Sequence, residues 1–256
     1  MNVTGIYFSG TGNTKHCVKQ FVKTLNNVYQ SYSLEDDDVQ NVIAKSNIII
    51  FGYPVYFSNA PKLVQDFIHQ NHTLFQNKKI FIIATMGLFS GDGAGCTARL
   101  FKQYGAQVLG GLHLKMPDNI GDEKVLKHTW QKNKAIVQKA EEKIKTAAHY
   151  FLKGKYPQNG LRFWHFIAGF FGQRLWFYNK TASYQQKPNI NKYKWTGCSK
   201  CVSICPMQNL LFVQNKVVHA NKCTLCYRCF SSCPTQAITI LGKHVYEQYL
   251  LDNLNV

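Results

Sequence analysis

The sequence predicts an α/β fold, a doubly wound parallel sheet of five strands, followed by a much smaller α+β module. Three observations carry this expectation. Over residues 3–115, short apolar runs alternate with amphipathic segments, the pattern of strands buried on both faces by crossover helices. A turn of small residues, Ser9-Gly10-Thr11-Gly12-Asn13-Thr14, separates the first strand from the first helix. Seven of the nine cysteines then fall within 36 residues near the C-terminus, in two runs each closed by Cys-Pro, in a segment too short to fold around an ordinary core.

Val3 to Phe8 reads as a buried strand and Lys15 to Leu25 as a helix with Val18, Phe21, Val22 and Leu25 on one face. In the turn between them, glycines let the backbone curl and expose its amides, hydroxyls add donors, and the helix start favours an anion. The turn lacks the Gly-Lys-Ser/Thr ending of a nucleotide P-loop and the third glycine of the dinucleotide fingerprint. Val28 to Leu34 is a weak strand, Val39 to Ala44 a short helix and Asn47 to Gly52 an isoleucine-rich strand. Pro61 marks the start of the next helix, Lys62 to His69. Lys79 to Thr85 is a buried strand, and a helix from Gly95 to Tyr104 and a strand from Gln107 to Lys115 complete the series. Ligands in such a sheet sit beyond the carboxyl ends of the strands. That places the small-residue turn, the Tyr53 to Phe57 loop and the Met86 to Gly93 loop together.

With Ser9, Thr11, Gly12 and Thr14 in the pattern Ser/Thr-x-Thr-Gly-x-Thr, the first 150 or so residues resemble the flavodoxin family. The resemblance implies FMN, with its phosphate on Ser9, Gly10, Thr11, Gly12, Asn13 and Thr14. It places the isoalloxazine between Tyr53, Pro54, Val55, Tyr56 and Phe57 on one side and Met86, Gly87, Leu88, Phe89, Gly91, Asp92 and Gly93 on the other. An aromatic side chain on the ring face suits a flavin, and which of Tyr53, Tyr56 or Phe57 stacks is open.

Asp122 to Leu152 reads as one long amphipathic helix capped by Gly154. Leu161 to Tyr178 is dense in aromatics but interrupted by Arg162, His165, Gln173 and Arg174, which argues against a membrane span. It is expected to cover an interdomain or homodimer surface, with contact to a membrane surface as the second reading. The expected divisions are 1–152, a connecting segment 153–190, a cysteine module 191–242 and a tail 243–256.

Cys223, Cys226, Cys229 and Cys233-Pro234 form a complete C-x2-C-x2-C-x3-C-P run. This is the spacing of a bacterial two-cluster ferredoxin, in which the cysteine before proline reaches across to the other cluster. Cys198, Cys201 and Cys205-Pro206 repeat its last three positions 28 residues earlier, with Trp195 where the first cysteine would stand. Crossed ligation assigns Cys205, Cys223, Cys226 and Cys229 to one 4Fe-4S cluster and leaves Cys198, Cys201 and Cys233 for the other. Indole cannot ligate iron. The three-cysteine site therefore holds a 3Fe-4S cluster, a cube with a labile iron, a cluster rescued by Cys17, Cys96 or His219, or none. The whole chain resembles bacterial and archaeal flavodoxin-ferredoxin fusion proteins, with Trp195 as its departure.

The formal charge is +17, and no acidic residue lies between Glu142 and Glu247. Such a field raises the on-rate for an acidic redox protein by roughly ten- to a thousand-fold at low salt. No nucleic-acid motif is present, and the N-terminus carries no secretory pattern, so the expected compartment is the cytoplasm. The expected function is electron transfer between FMN and the clusters, linking a redox partner to a downstream acceptor. The alternatives are an FMN-dependent reductase of a small substrate and an iron-sulfur redox or oxygen sensor. Asp92 and His113 are the only acid-base candidates for the reductase, and neither has a motif behind it.

Overall fold

A computed structural model describes residues 3–25, 30–171, 175 and 183–255 of the chain. Strands β1 (Val3–Tyr7), β2 (Gln30–Ser33), β3 (Ile48–Pro54), β4 (Lys79–Met86) and β5 (Gln107–Lys115) form one parallel sheet in the order β2-β1-β3-β4-β5. This is the doubly wound order of the flavodoxin fold. Val28, expected to open the second strand, lies outside the described residues.

Alternation along each strand sends its side chains to opposite faces. Ile48 and Ile50 of β3 with Phe81 and Ile83 of β4 meet helices α1 (Asn13–Leu25) and α5 (Trp130–Leu152). Ile49, Phe51, Ile80 and Ile82 meet α2 (Val39–Lys45), α3 (Lys62–Gln70) and α4 (Gly93–Gln103). Both faces are covered, which is why β3 and β4 read as continuous apolar runs. Phe21 of α1, Phe81 and Phe151 of α5 pack as a triad with centroids 5.1–5.7 Å apart.

The long helix is shorter than the sequence pattern suggests. It starts at Trp130, where the Thr129 side chain accepts the Lys132 amide. Asp122 is instead withdrawn into the protein, 1 % exposed, accepting Tyr227 Oη–H at 2.8 Å and the Ile240 amide at 2.6 Å. After α5 the chain turns back along β5, with Gly111 N–H donating to Pro157 O and Asn159 N–H donating to Gly111 O. Helix α6 (Phe163–Gly169) then lies against α4, with the Arg99 guanidinium 5.0 Å from the Phe166 ring. It leaves Phe163, Trp164 and Phe171 largely exposed. Apart from Leu175, the remainder of the aromatic stretch to Tyr178 lies outside the described residues.

The cysteine module contains an antiparallel pair, β6 (Asn189–Ile190) with β9 (Ile238–Thr239), and a hairpin, β7 (Leu210–Val213) with β8 (Lys216–His219). The hairpin turns on Gln214 and Asn215, both left-handed, as a two-residue turn between twisted strands requires. The 28-residue repeat extends to the backbone. Short helices Lys200–Ser203 and Arg228–Ser231 correspond, and left-handed residues recur at Gly197 and Leu225, Ser199 and Tyr227, Gln208 and Gln236.

Residues 243–256, expected to be a tail, return to the first domain. Leu251 and Leu254 enter the core beside α1 and α5, Leu251 N–H donates to Thr11 O, and Tyr249 Oη–H donates to Asn13 Oδ1 at 2.7 Å.

Candidate functional site

The small-residue turn lies at the carboxyl end of β1 and leads directly into α1. Gly12 adopts φ +101°, a left-handed conformation that favours glycine, and its N–H donates to Ser9 Oγ at 3.2 Å. The Thr14 hydroxyl is paired with Thr85 Oγ1 at 2.8 Å, and Asn13 Nδ2 donates to Pro117 O at 2.8 Å. Ser9, Gly10, Thr11, Asn13 and Thr14 line a cleft of about 510 Å³, together with Pro54, Val55, Tyr56, Thr85 and Met86. Amides, hydroxyls and the start of a 13-residue helix on one concave wall are a donor set that fits a phosphate.

A second, more apolar cleft of about 880 Å³ shares Val55, Tyr56 and Gly87 with the first, and Phe57, Leu88 and Phe89 complete the two loops expected to flank a flavin. Its third wall comes from the cysteine module, as Leu225, Tyr227 and Leu241. The Tyr56 hydroxyl is buried and has no hydrogen-bond partner among the described residues. Burial raises its pKa well above the ordinary tyrosine value, with the nearby Cys226 thiol adding to the shift. An orphaned hydroxyl at the junction of both clefts is consistent with a bound ring bearing polar edges.

Four of the expected flavin contacts lie elsewhere. Tyr53 is fully buried within β3, with its hydroxyl bonded to Gly93 O and Thr97 Oγ1, because the strand runs two residues further than its apolar run and turns Tyr53 into the core. Asp92 is buried in an ion pair with Arg99 at 2.8 Å. Gly91 packs on Gly169, and Gly93 packs on Val55. The cleft instead uses Met116, Pro117, Asp118, Asn119 and Ile120, the segment after β5. The rule that ligands sit beyond strand carboxyl ends could have found these residues had it been applied to the fifth strand. His113 points away from the clefts, with Nδ1 against Ser90 Oγ at 2.8 Å and Nε2 accepting the Ala94 amide at 3.2 Å.

The module touches the turn itself. A methyl group added to Gly10 would overlap the Cys226 carbonyl, which accepts Asn119 Nδ2 at 3.3 Å. Arg228 donates to Ser9 O at 2.9 Å while both its terminal nitrogens hold Glu35 at 2.6 Å. Ligand-bearing backbone and phosphate turn are therefore in van der Waals contact.

Cys205, Cys223, Cys226 and Cys229 all line one small pocket, with Tyr227, Leu210 and Ile240 among its walls. Burial pushes the Cys223 thiol up to about 11 and Cys226 up to about 12, and raises Cys229 well above its ordinary value. Cys229 also feels Cys226, Cys223, Cys205 and Cys201, in that order. Cys201 is raised by burial, then by Cys233 and Cys198. Among the described residues no three His, Cys, Asp or Glu side chains are close enough to hold a single metal ion. Four thiols around a cavity instead fit a polynuclear cluster. The Cys205 and Cys233 sulfurs each accept the amide four residues on, Asn209 and Ala237, at 3.3 Å, a bond that stabilises a thiolate.

At the three-cysteine site Cys201 and Cys233 are buried and Cys198 is exposed. None of the expected rescuers faces it. Cys17 is buried in the α1 core, Cys96 Sγ bonds Ser58 O, and His219 is exposed with Nδ1 on Asn221.

Residues 6–114 match the flavodoxin domain family and residues 194–237 the 4Fe-4S dicluster domain family. No curated protein matches the chain in sequence. Among solved structures it is similar to two-electron reduced flavodoxin from Megasphaera elsdenii, at 24 % identity and TM-score 0.42 over 57 % of this chain and 98 % of that one. It is also similar to oxidised flavodoxin 2 from Bacillus cereus, at 19 % identity and TM-score 0.42 over 60 % and 99 %. Rubredoxin oxygen:oxidoreductase from Desulfovibrio gigas aligns at 15 % identity and TM-score 0.40 over 56 % of this chain and 36 % of that one. Two domain families in this order on one chain point to electron transfer in general. The protein has a flavodoxin-ferredoxin fusion architecture, a flavodoxin domain followed by a 4Fe-4S dicluster domain.

Proposed function

We propose that this protein moves electrons between FMN in the flavodoxin cleft and the iron-sulfur module, accepting them from one redox protein and delivering them to another. The observation that carries the reading is the shared wall: Leu225, Tyr227 and Leu241 of the module close the ring cleft, and Tyr56, which lines that cleft, also lines a neighbouring pocket with Cys223. Bound FMN exchanges one or two electrons and an iron-sulfur cube one at a time, so together they convert between the two.

The chain's own residues provide binding, orientation and shielding. Ser9 to Thr14 hold the phosphate, and Val55, Tyr56, Ile120 and Leu225 exclude water from the ring. Arg228 places a cation between the phosphate turn and the cluster cysteines. The expected acid-base pair for substrate reduction, Asp92 and His113, lines neither cleft, which favours a carrier over a reductase.

We assign an acidic redox protein as partner, on the absence of any acidic residue between Glu142 and Glu247. Its association is expected to weaken as ionic strength rises. The exposed Phe163, Trp164 and Phe171 are proposed as a self-association face, which sedimentation at several concentrations tests. For the central reading the experiment is anaerobic spectroelectrochemistry of the holo-protein. Linked flavin and cluster titrations support it, and two centres that exchange no electrons on mixing with a one-electron donor overturn it.

A further inference from the structure

We propose that Cys198, Cys201 and Cys233 hold a three-iron cluster and that the Trp195 indole N–H donates to the sulfides exposed at its iron-free corner. This rests on the reading of the module as cluster-binding and adds a role for a residue outside the ligand pattern.

Trp195 occupies the position of Cys223 in the 28-residue repeat. Gly197 and Leu225 are both left-handed, at φ +78° and +57°, as are Ser199 and Tyr227, at +51° and +58°. The backbone from 195 to 199 therefore follows the path from 223 to 227, and the side chain at 195 leaves the chain where Cys223 leaves it. Cys223 lines the cluster cavity of its own half. Trp195 packs, partly buried, against the apolar cluster of the module, which includes Cys201, Cys229 and Cys233, with its ring 6.2 Å from Phe212.

The indole nitrogen is buried and has no hydrogen-bond partner among the described residues. A buried N–H left without an acceptor is destabilising, so its place in the fold implies an acceptor that the described residues do not supply. Indole is a donor only and cannot hold the fourth iron. A cuboidal cluster lacking one iron presents bridging sulfides at the empty corner, which are acceptors. Donor and acceptor are then complementary at the one position where the repeat loses its ligand. Since hydrogen bonds to sulfur raise a cluster's potential, the indole would make this site the more oxidising of the two.

The test compares anaerobically prepared wild-type protein with Trp195→Cys and Trp195→Phe by iron and sulfide analysis, EPR and potentiometry. Wild type should give the EPR signal of an oxidised three-iron cluster beside a four-iron one. Trp195→Cys should gain one iron per chain and lose that signal. Trp195→Phe should keep the iron count and shift the three-iron potential downward. Wild-type spectra with two four-iron clusters, or with an empty second site beside a normal four-iron cluster, overturn this inference alone. An unchanged potential in Trp195→Phe overturns the indole's role. A chain that binds no cluster at either site overturns the carrier reading as well. The wild-type spectra decide the cluster type even where a variant fails to fold.

Discussion

Asp122 is buried and Tyr56 and His113 are half-buried, and the surroundings of the three make different demands. The Tyr56 hydroxyl has no partner among the described residues, so Tyr56→Phe should leave the stability of the cofactor-free chain almost unchanged. It should weaken FMN binding by about 1 kcal/mol, roughly five-fold in Kd, in a flavin fluorescence titration; an unaltered Kd removes Tyr56 from the ring site. Asp122 accepts from Tyr227 and from the Ile240 amide, and Asn could accept from only one side-chain oxygen. Asp122→Asn is expected to cost about 1–3 kcal/mol in urea unfolding. His113 Nε2 accepts the Ala94 amide, so Nδ1 carries the proton and donates to Ser90. Burial, then His165 and Lys143, lower its pKa to about 4 from 6.5. Between those values the unfolded chain binds a proton that the folded chain does not. His113's contribution is therefore complete above 6.5 and is lost as the pH falls toward 4, at about 1.4 kcal/mol per pH unit. A His113→Gln variant should lose that slope, and parallel slopes in the two proteins would remove His113 as its source.

Among the elements, the C-terminal segment links two cofactor sites. Leu251 is 4 % exposed, meets Gly12 and joins the α1 and α5 core. Leu251→Ala should cost about 2–5 kcal/mol and, by loosening the turn it braces, weaken FMN binding; a normal FMN Kd in the destabilised variant would separate the brace from the site. The β7–β8 hairpin behaves differently from its apolar sequence. Leu211, Phe212 and Val213 are 44–48 % exposed and only Leu210 of that strand is buried. A two-stranded hairpin has one anchored end and little else to cover it.

At the scale of the whole molecule the two domains share a surface rather than a linker. Cys226 lies against Gly10, and Arg228 joins Ser9 to Glu35. Metal ligation supplies much of the folding energy of so small a module. Removing the clusters by anaerobic chelation is thus expected to weaken FMN binding as well, and FMN affinity indifferent to cluster content would show the domains to be independent. The flavodoxin sheet was legible because each crossover repeats a local pattern: β5 has the expected bounds, α1 and α4 each start two residues earlier than expected, and α4 ends one residue earlier. The 4Fe-4S dicluster domain was legible because a cysteine repeat is written in spacing alone. The withdrawal of Asp122, the return of Tyr249 and Leu251, the inward turn of Tyr53 and the module wall of the flavin cleft were not. Each depends on a partner more than 35 residues away in the chain. Sequence determined which elements form and which atoms can ligate, since those follow from periodicity and side-chain chemistry. Tertiary structure decided which of them face one another, because burial satisfies polar groups with whatever the folded chain brings within reach.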